Sequence, residues 1–294
     1  MNQQISIHPE LIKWVADIMG NKDYFGCIYW SYASNTHTKD SDIDFYCAVD
    51  TYSTTEMNTL IEFIKDYYYR NNLSLDEEVP FENKLLATYS EVESAIQMGW
   101  FELQDNHFII PKVQKDPVFL GSTEIKKRLI LNTLTTPHVT FGNNIDRPDS
   151  LKNDAEHNTL LLAINIVNKT KFKVNELIDV LTTSKDGETW EMFLGYKTNK
   201  NPISKYLEQF IKKQIDSLIS SGVIRPDNNE NLCLIKGDYI DNFIWKCASK
   251  NINLQQRIRK IWQMSTRKII GNVENEFVQN LHSWPISKFN IYSL

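Results

Sequence analysis

The chain has 294 residues, enough for two ordinary domains that each bury a core. With 41% hydrophobic and 23% charged residues it reads as a folded globular protein, which excludes a disordered or fibrous chain. A net charge of -5 excludes a general pull toward nucleic acid or anionic lipid, so any such contact needs a local basic patch.

Residues 1–8 show no basic segment followed by an apolar one, and no apolar run reaches membrane-spanning length. The expected location is therefore the cytoplasm. Cysteines at 27, 47, 233 and 247 form no Cys-x-x-Cys pair and are expected to be reduced and structural.

His8-Pro9-Glu10 opens a first helix, where the missing N–H of proline costs nothing. Leu11, Trp14, Val15 and Ile18 recur at helical spacing, and Gly20 is the expected stop. A strand is predicted over 24–30, a polar turn from Ser31, and a second strand over 42–49. Side chains of a strand alternate faces, so Asp42 and Asp44 project together while Ile43 and Phe45 point inward. Two neighbouring carboxylates repel. A divalent cation relieves that repulsion, and hard oxygen ligands of this kind suit Mg²⁺.

The run Trp30-Ser31-Tyr32-Ala33-Ser34-Asn35-Thr36-His37-Thr38-Lys39-Asp40-Ser41-Asp42-Ile43-Asp44-Phe45 resembles the nucleotidyltransferase superfamily. That superfamily includes DNA polymerase β, the aminoglycoside nucleotidyltransferases and AMP-transferring toxins. Its pattern is Gly-Ser, a spacer, then Asp-x-Asp, and this chain follows it without a gap. It departs at Trp30, where the family has a glycine, and at Asn35, where the family has a second one. Asparagine tolerates the left-handed conformation better than other non-glycine residues, whereas an indole at 30 has either to turn away or to fill the space that the family's glycine leaves for the triphosphate.

Ser53-Thr54-Thr55-Glu56 reads as a capping box for a helix to about residue 70, with Met57, Leu60, Ile61, Ile64 and Tyr68 on one face. A third strand is predicted over 73–79. Leu73, Leu75 and Val79 share one face there, which leaves Asp76 and Glu78 on the other. The resemblance implies a third carboxylate in that strand. Asp76 is the first choice; Glu78 is the alternative, or else the base that takes a proton from the acceptor. Lys84, just beyond, is a candidate for neutralising phosphate charge.

A short apolar piece follows over 85–89, then a helix near 91–98 and a strand near 107–113. The pattern breaks at 115–121, where a domain boundary is expected. Beyond it the chain reads as mostly helical. Ser122 caps a helix bearing Lys126, Lys127 and Arg128 beside Ile125, Leu129, Ile130 and Leu131, and buried helices are expected around 160–164 and over 174–181. An amphipathic helix over 203–221 runs into two β-type segments around Asp227-Asn228-Asn229, a helix-plus-hairpin similar to a winged-helix module. A last helix over 254–270 carries Arg257, Arg259, Lys260, Arg267 and Lys268. His37, His138, His157 and His282 form no metal-ligand cluster.

The fold class expected is α+β. Residues 1–120 form a nucleotidyltransferase-type mixed sheet with flanking helices, and 121–294 a mainly helical acceptor-binding domain with a winged-helix-like segment at 203–236. The resemblance implies two Mg²⁺ ions held by Asp42, Asp44 and Asp76. It also implies an NTP, expected to be ATP, held through Ser31, Asn35, Ser41 and Lys84. The implied reaction is transfer of a nucleoside monophosphate to a hydroxyl of a small molecule, with pyrophosphate leaving. Transfer to tRNA or protein, or a catalytically degenerate nucleotide-binding module, are the alternatives. No membrane partner is expected, and the sequence carries no signal of oligomeric state.

Overall fold

A computed structural model describes residues 9–35, 37–38, 41–73, 80–97, 102–104, 107–109, 113–114, 123–182, 189–190, 202–227 and 231–250. The expected strand over 73–79 and helix over 254–270 therefore lie almost wholly outside the described residues. The architecture is α+β, with a mixed four-stranded sheet and many helices.

Helix α1 (Pro9–Met19) ends at Gly20, whose φ of 58° is the left-handed stop its position predicts. Strand β1 (Tyr24–Tyr29) leads into a single helical turn, α2 (Trp30–Ala33), and the chain returns as β2 (Phe45–Val49). Helix α3 (Thr54–Arg70) starts with the expected capping box. The Ser53 hydroxyl accepts from the Glu56 amide at 3.1 Å, and the Glu56 carboxylate accepts from the Ser53 amide at 2.6 Å. A short 3₁₀ turn (Phe81–Asn83) precedes β3 (Leu86–Thr88). Helix α4 (Tyr89–Ile96) has a second capping box, between Thr88 and Glu91.

Strand β2 runs antiparallel to β1 and parallel to β3, so α3 is the crossover connection that a parallel pair requires. Every residue of β1 and β2 is buried, because both faces of the sheet are covered. Tyr24, Ile28, Phe45 and Val49 face one apolar cluster with Leu11, Val15, Leu60 and Ile64 of α1 and α3. Phe25, Cys27, Tyr29 and Tyr46 face the other.

The fourth strand comes from far along the chain. Short hairpin strands β4 (Glu102–Gln104) and β5 (His107–Ile109), β6 (Val113–Gln114) and helix α5 (Thr123–Leu134) intervene. Then β7 (His138–Gly142) pairs antiparallel with β1, giving the order β3-β2-β1-β7. A division at 120 thus leaves one strand of this sheet in the second segment. Lys126 and Arg128 of α5 are buried, and the Lys126 ammonium donates to Glu91 Oε1 at 3.0 Å and the Tyr52 hydroxyl at 3.1 Å.

Helix α6 (Arg147–Val167) is followed by β8 (Lys171–Phe172), α7 (Val174–Thr182), β9 (Thr189–Trp190) and α8 (Pro202–Ser220). The expected hairpin is present as β10 (Ile224–Pro226) and β11 (Leu232–Leu234), and α9 (Gly237–Lys250) follows it. Strand β8 joins this hairpin in a three-stranded sheet of order β10-β11-β8. A single apolar cluster joins Phe25 and Tyr46 of the main sheet to Leu160, Phe172, Phe210 and Ile240. No described helix is long and apolar enough to cross a membrane. None of the four cysteines is in a disulfide, and Cys27, Cys47 and Cys247 are buried.

Candidate functional site

The site grows out of the way β1 ends. Its last residue, Tyr29, runs directly into α2, so the predicted turn at Ser31 is a helical one, with Trp30 as its first residue. The Trp30 side chain lies outside the described set. Asn35 leaves the turn with φ 59°, a left-handed conformation that asparagine tolerates better than most non-glycine residues. The loop then folds on itself. His37 N–H donates to the Ser31 carbonyl at 3.1 Å, and the Tyr32 and His37 rings stack with centroids 4.3 Å apart. Thr38 N–H donates to the Ser41 hydroxyl at 2.9 Å, and Ser41 N–H returns to the Thr38 carbonyl at 3.1 Å.

Regular strand begins at Phe45, three residues later than predicted, but the chain is already aligned with the sheet before it. Tyr29 N–H donates to the Asp44 carbonyl at 2.9 Å. Ile43, 3% exposed, and Phe45, 2% exposed, fill the core, while Asp42 and Asp44 are half-buried on the other side. This is the alternation that the sequence predicts. The backbone of Ile43 is held from α3: its N–H donates to the Tyr68 hydroxyl at 2.8 Å, and that hydroxyl donates to the Ile43 carbonyl at 2.7 Å.

Asp42 and Asp44 open onto a recess that Tyr29, Tyr68, Phe81 and Lys84 also line. The Lys84 ammonium lies 5.1 Å from the Phe81 ring centroid and that of Lys65 lies 5.5 Å from it, so two cations flank the ring at the rim. The fold therefore brings together three of the predicted site residues, Asp42, Asp44 and Lys84. Ser31, Asn35 and Ser41 do not line this recess. Asn35 is exposed, and the Ser41 hydroxyl is engaged in its own turn. Asp76 and Glu78 lie outside the described residues.

Charge at the carboxylates is felt by the tyrosines around them. Burial pushes the Tyr68 hydroxyl up from its ordinary range, the Ile43 hydrogen bond opposes this, and Asp42 and Asp44 add to the rise. Burial and then Asp42 push Tyr32 the same way. Both tyrosines stay neutral, so their hydroxyls remain donors.

The donor set fits a hard divalent cation of the Mg²⁺ kind, since it offers carboxylate oxygens from two residues on one side of an extended segment. Among the described residues no group of three or more His, Cys, Asp and Glu side chains forms a metal cluster. Sequence reasoning placed Tyr68 only on the apolar face of α3. A buried tyrosine hydroxyl needs a hydrogen-bond partner, and that was the available signal of a further role. No protein-family model matches the chain, and neither the curated proteins nor the solved structures contain a match.

Proposed function

We propose that the chain is a Mg²⁺-dependent nucleotidyltransferase, with its mixed sheet, α1 and α3 forming the nucleotidyltransferase-type core. It transfers a nucleoside monophosphate from an NTP, with ATP the expected donor, to a hydroxyl of a small-molecule acceptor. The observation that carries this reading is the convergence of Asp42, Asp44 and Lys84 on one recess, at the spacing of the family's Asp-x-Asp pattern.

Asp42 and Asp44 are the residues to hold the metal, with Asp76, or Glu78 in its place, as the third carboxylate. When bound, Mg²⁺ neutralises the charge that builds on the phosphates as pyrophosphate departs. Lys84 offers a fixed positive charge at the rim for the same phosphates, and Ser31 a hydroxyl at the mouth of the loop. The acceptor oxygen bonds to the α-phosphorus while the bond from that phosphorus to pyrophosphate breaks. The hydroxyl proton passes to a carboxylate, with Glu78 the expected base.

A second reading, in which the acceptor is tRNA or a protein, draws support for its RNA form from the C-terminal half. The order is α6-β8-α7-β9-α8-β10-β11, and β8, β10 and β11 form a sheet with β11 in the middle, which supports a winged-helix-like reading of this segment. A catalytically degenerate nucleotide-binding module is the third outcome.

Calorimetry separates these outcomes. The native chain is titrated with each NTP in Mg²⁺, beside the double variant Asp42→Asn, Asp44→Asn. Metal-dependent binding in the native chain and its loss in the variant are expected, with the fold intact by circular dichroism. No metal-dependent binding in the native chain overturns both enzyme readings. Labelled NTP, offered with RNA and with a small-molecule extract, then assigns the acceptor: label in RNA refutes the small-molecule assignment.

A further inference from the structure

We infer that Tyr68 is the positioning residue of this site: its hydroxyl brackets Ile43, the one residue between the two carboxylates, and fixes their relative direction. The inference rests on the metal-site reading above. Ile43 lies outside the ladder, which begins at Phe45, yet it is 3% exposed. Buried backbone groups require partners, and the Tyr68 hydroxyl serves both, accepting from the Ile43 N–H at 2.8 Å and donating to its carbonyl at 2.7 Å.

The clamp has mechanical consequences. Tyr68 is 4% exposed and belongs to a capped helix of 17 residues anchored by Leu60 and Ile64 in the core, so the hydroxyl has little freedom to follow a moving loop. Asp42 and Asp44 flank the clamped residue, both half-buried, and their like charges repel. Without the clamp, rotation about the Ile43 backbone relieves that repulsion by splaying the side chains. With it, both carboxylates stay directed into the recess that Tyr68 itself lines. Partners that orient a metal ligand without touching the metal commonly change metal affinity by about 10- to 100-fold.

The test uses the full chain and Mn²⁺ as a spectroscopic probe, with free Mn²⁺ counted by electron paramagnetic resonance in the presence and absence of ATP. Tyr68→Phe keeps the ring packing and removes the hydroxyl. Leu60→Ala destabilises the same helix without removing either hydrogen bond to Ile43 and serves as the structural control. At a temperature where both variants are folded, the Mn²⁺ affinity of Tyr68→Phe is expected to fall about 10- to 100-fold while Leu60→Ala keeps that of the native chain. Equal affinities in Tyr68→Phe and the native chain overturn the positioning role but leave the metal site standing. No Mn²⁺ binding by the native chain overturns the metal-site reading itself. A measurement on the native chain alone guards against a variant that fails to fold: the Ile43 amide is expected to exchange with solvent far more slowly than a free peptide. Exchange at the free-peptide rate overturns the clamp.

Discussion

Asn35 holds a backbone conformation that glycine adopts more easily than any other residue. Its φ of 59° lies where a side chain crowds the following carbonyl, a strain that glycine avoids and that asparagine bears better than most. Asn35 is exposed, so its backbone rather than its packing governs the result of substitution. Asn35→Gly is expected to leave stability within about 0.5 kcal/mol, and Asn35→Ala to lower it by about 1 kcal/mol, both read from urea midpoints. An alanine variant as stable as the native chain refutes the strain argument. The neighbouring Asp-x-Asp was legible for a similar local reason, since a period of two places Ile43 and Phe45 inward and thereby the carboxylates outward. The Tyr68 clamp was not. Periodicity shows that Tyr68 is buried, but its partner lies 25 residues away and only the fold brings them together.

At the level of elements, β1, β2 and α3 could be read from continuous apolar runs and a capping box, because their signals are local. Strand β7 could not. Four of its five residues are only half-buried, and among the described residues it lies at the sheet edge with one partner strand, more than a hundred residues earlier. Its pairing nevertheless determines a residue in β1. Gly26 stands opposite Phe141, and a Cβ built on Gly26 meets the Phe141 ring at 2.1 Å. That ring is 6% exposed and packs near Phe45, so it cannot simply swing aside. Gly26→Ala is expected to destabilise by about 1–3 kcal/mol through overpacking. Phe141→Leu makes room, so the double variant should lose less than the sum of the two single ones. Strict additivity in denaturation experiments counts against the contact.

For the whole molecule, the α+β class was legible from the order of local patterns, whereas the continuity of the interior was not. The pattern break at 115–121 suggested a boundary, yet one apolar cluster runs from Phe25 in the first strand to Ile240 in α9. Such continuity depends on which faces meet, and no local pattern encodes that. Stability against acid is likewise a property of the whole fold, and Glu56 contributes to it in a calculable direction. Its carboxylate, which caps α3, is bonded by Lys22 and by the Ser53 amide, and these hold it from an ordinary 4.5 down to about 2, Lys22 making the larger contribution. A folded-state value below the unfolded one means that the unfolded chain takes up the proton first. The contribution of Glu56 is therefore complete above about pH 4.5 and is lost as the pH falls toward about 2. Glu56→Gln should be less stable than the native chain near neutral pH, and the difference should shrink through that window. Added salt should shrink it as well, since both partners are partly exposed. Urea midpoints of the two chains at several pH values test the sign: a gap that widens on acidification is incompatible with a depressed carboxylate at this position.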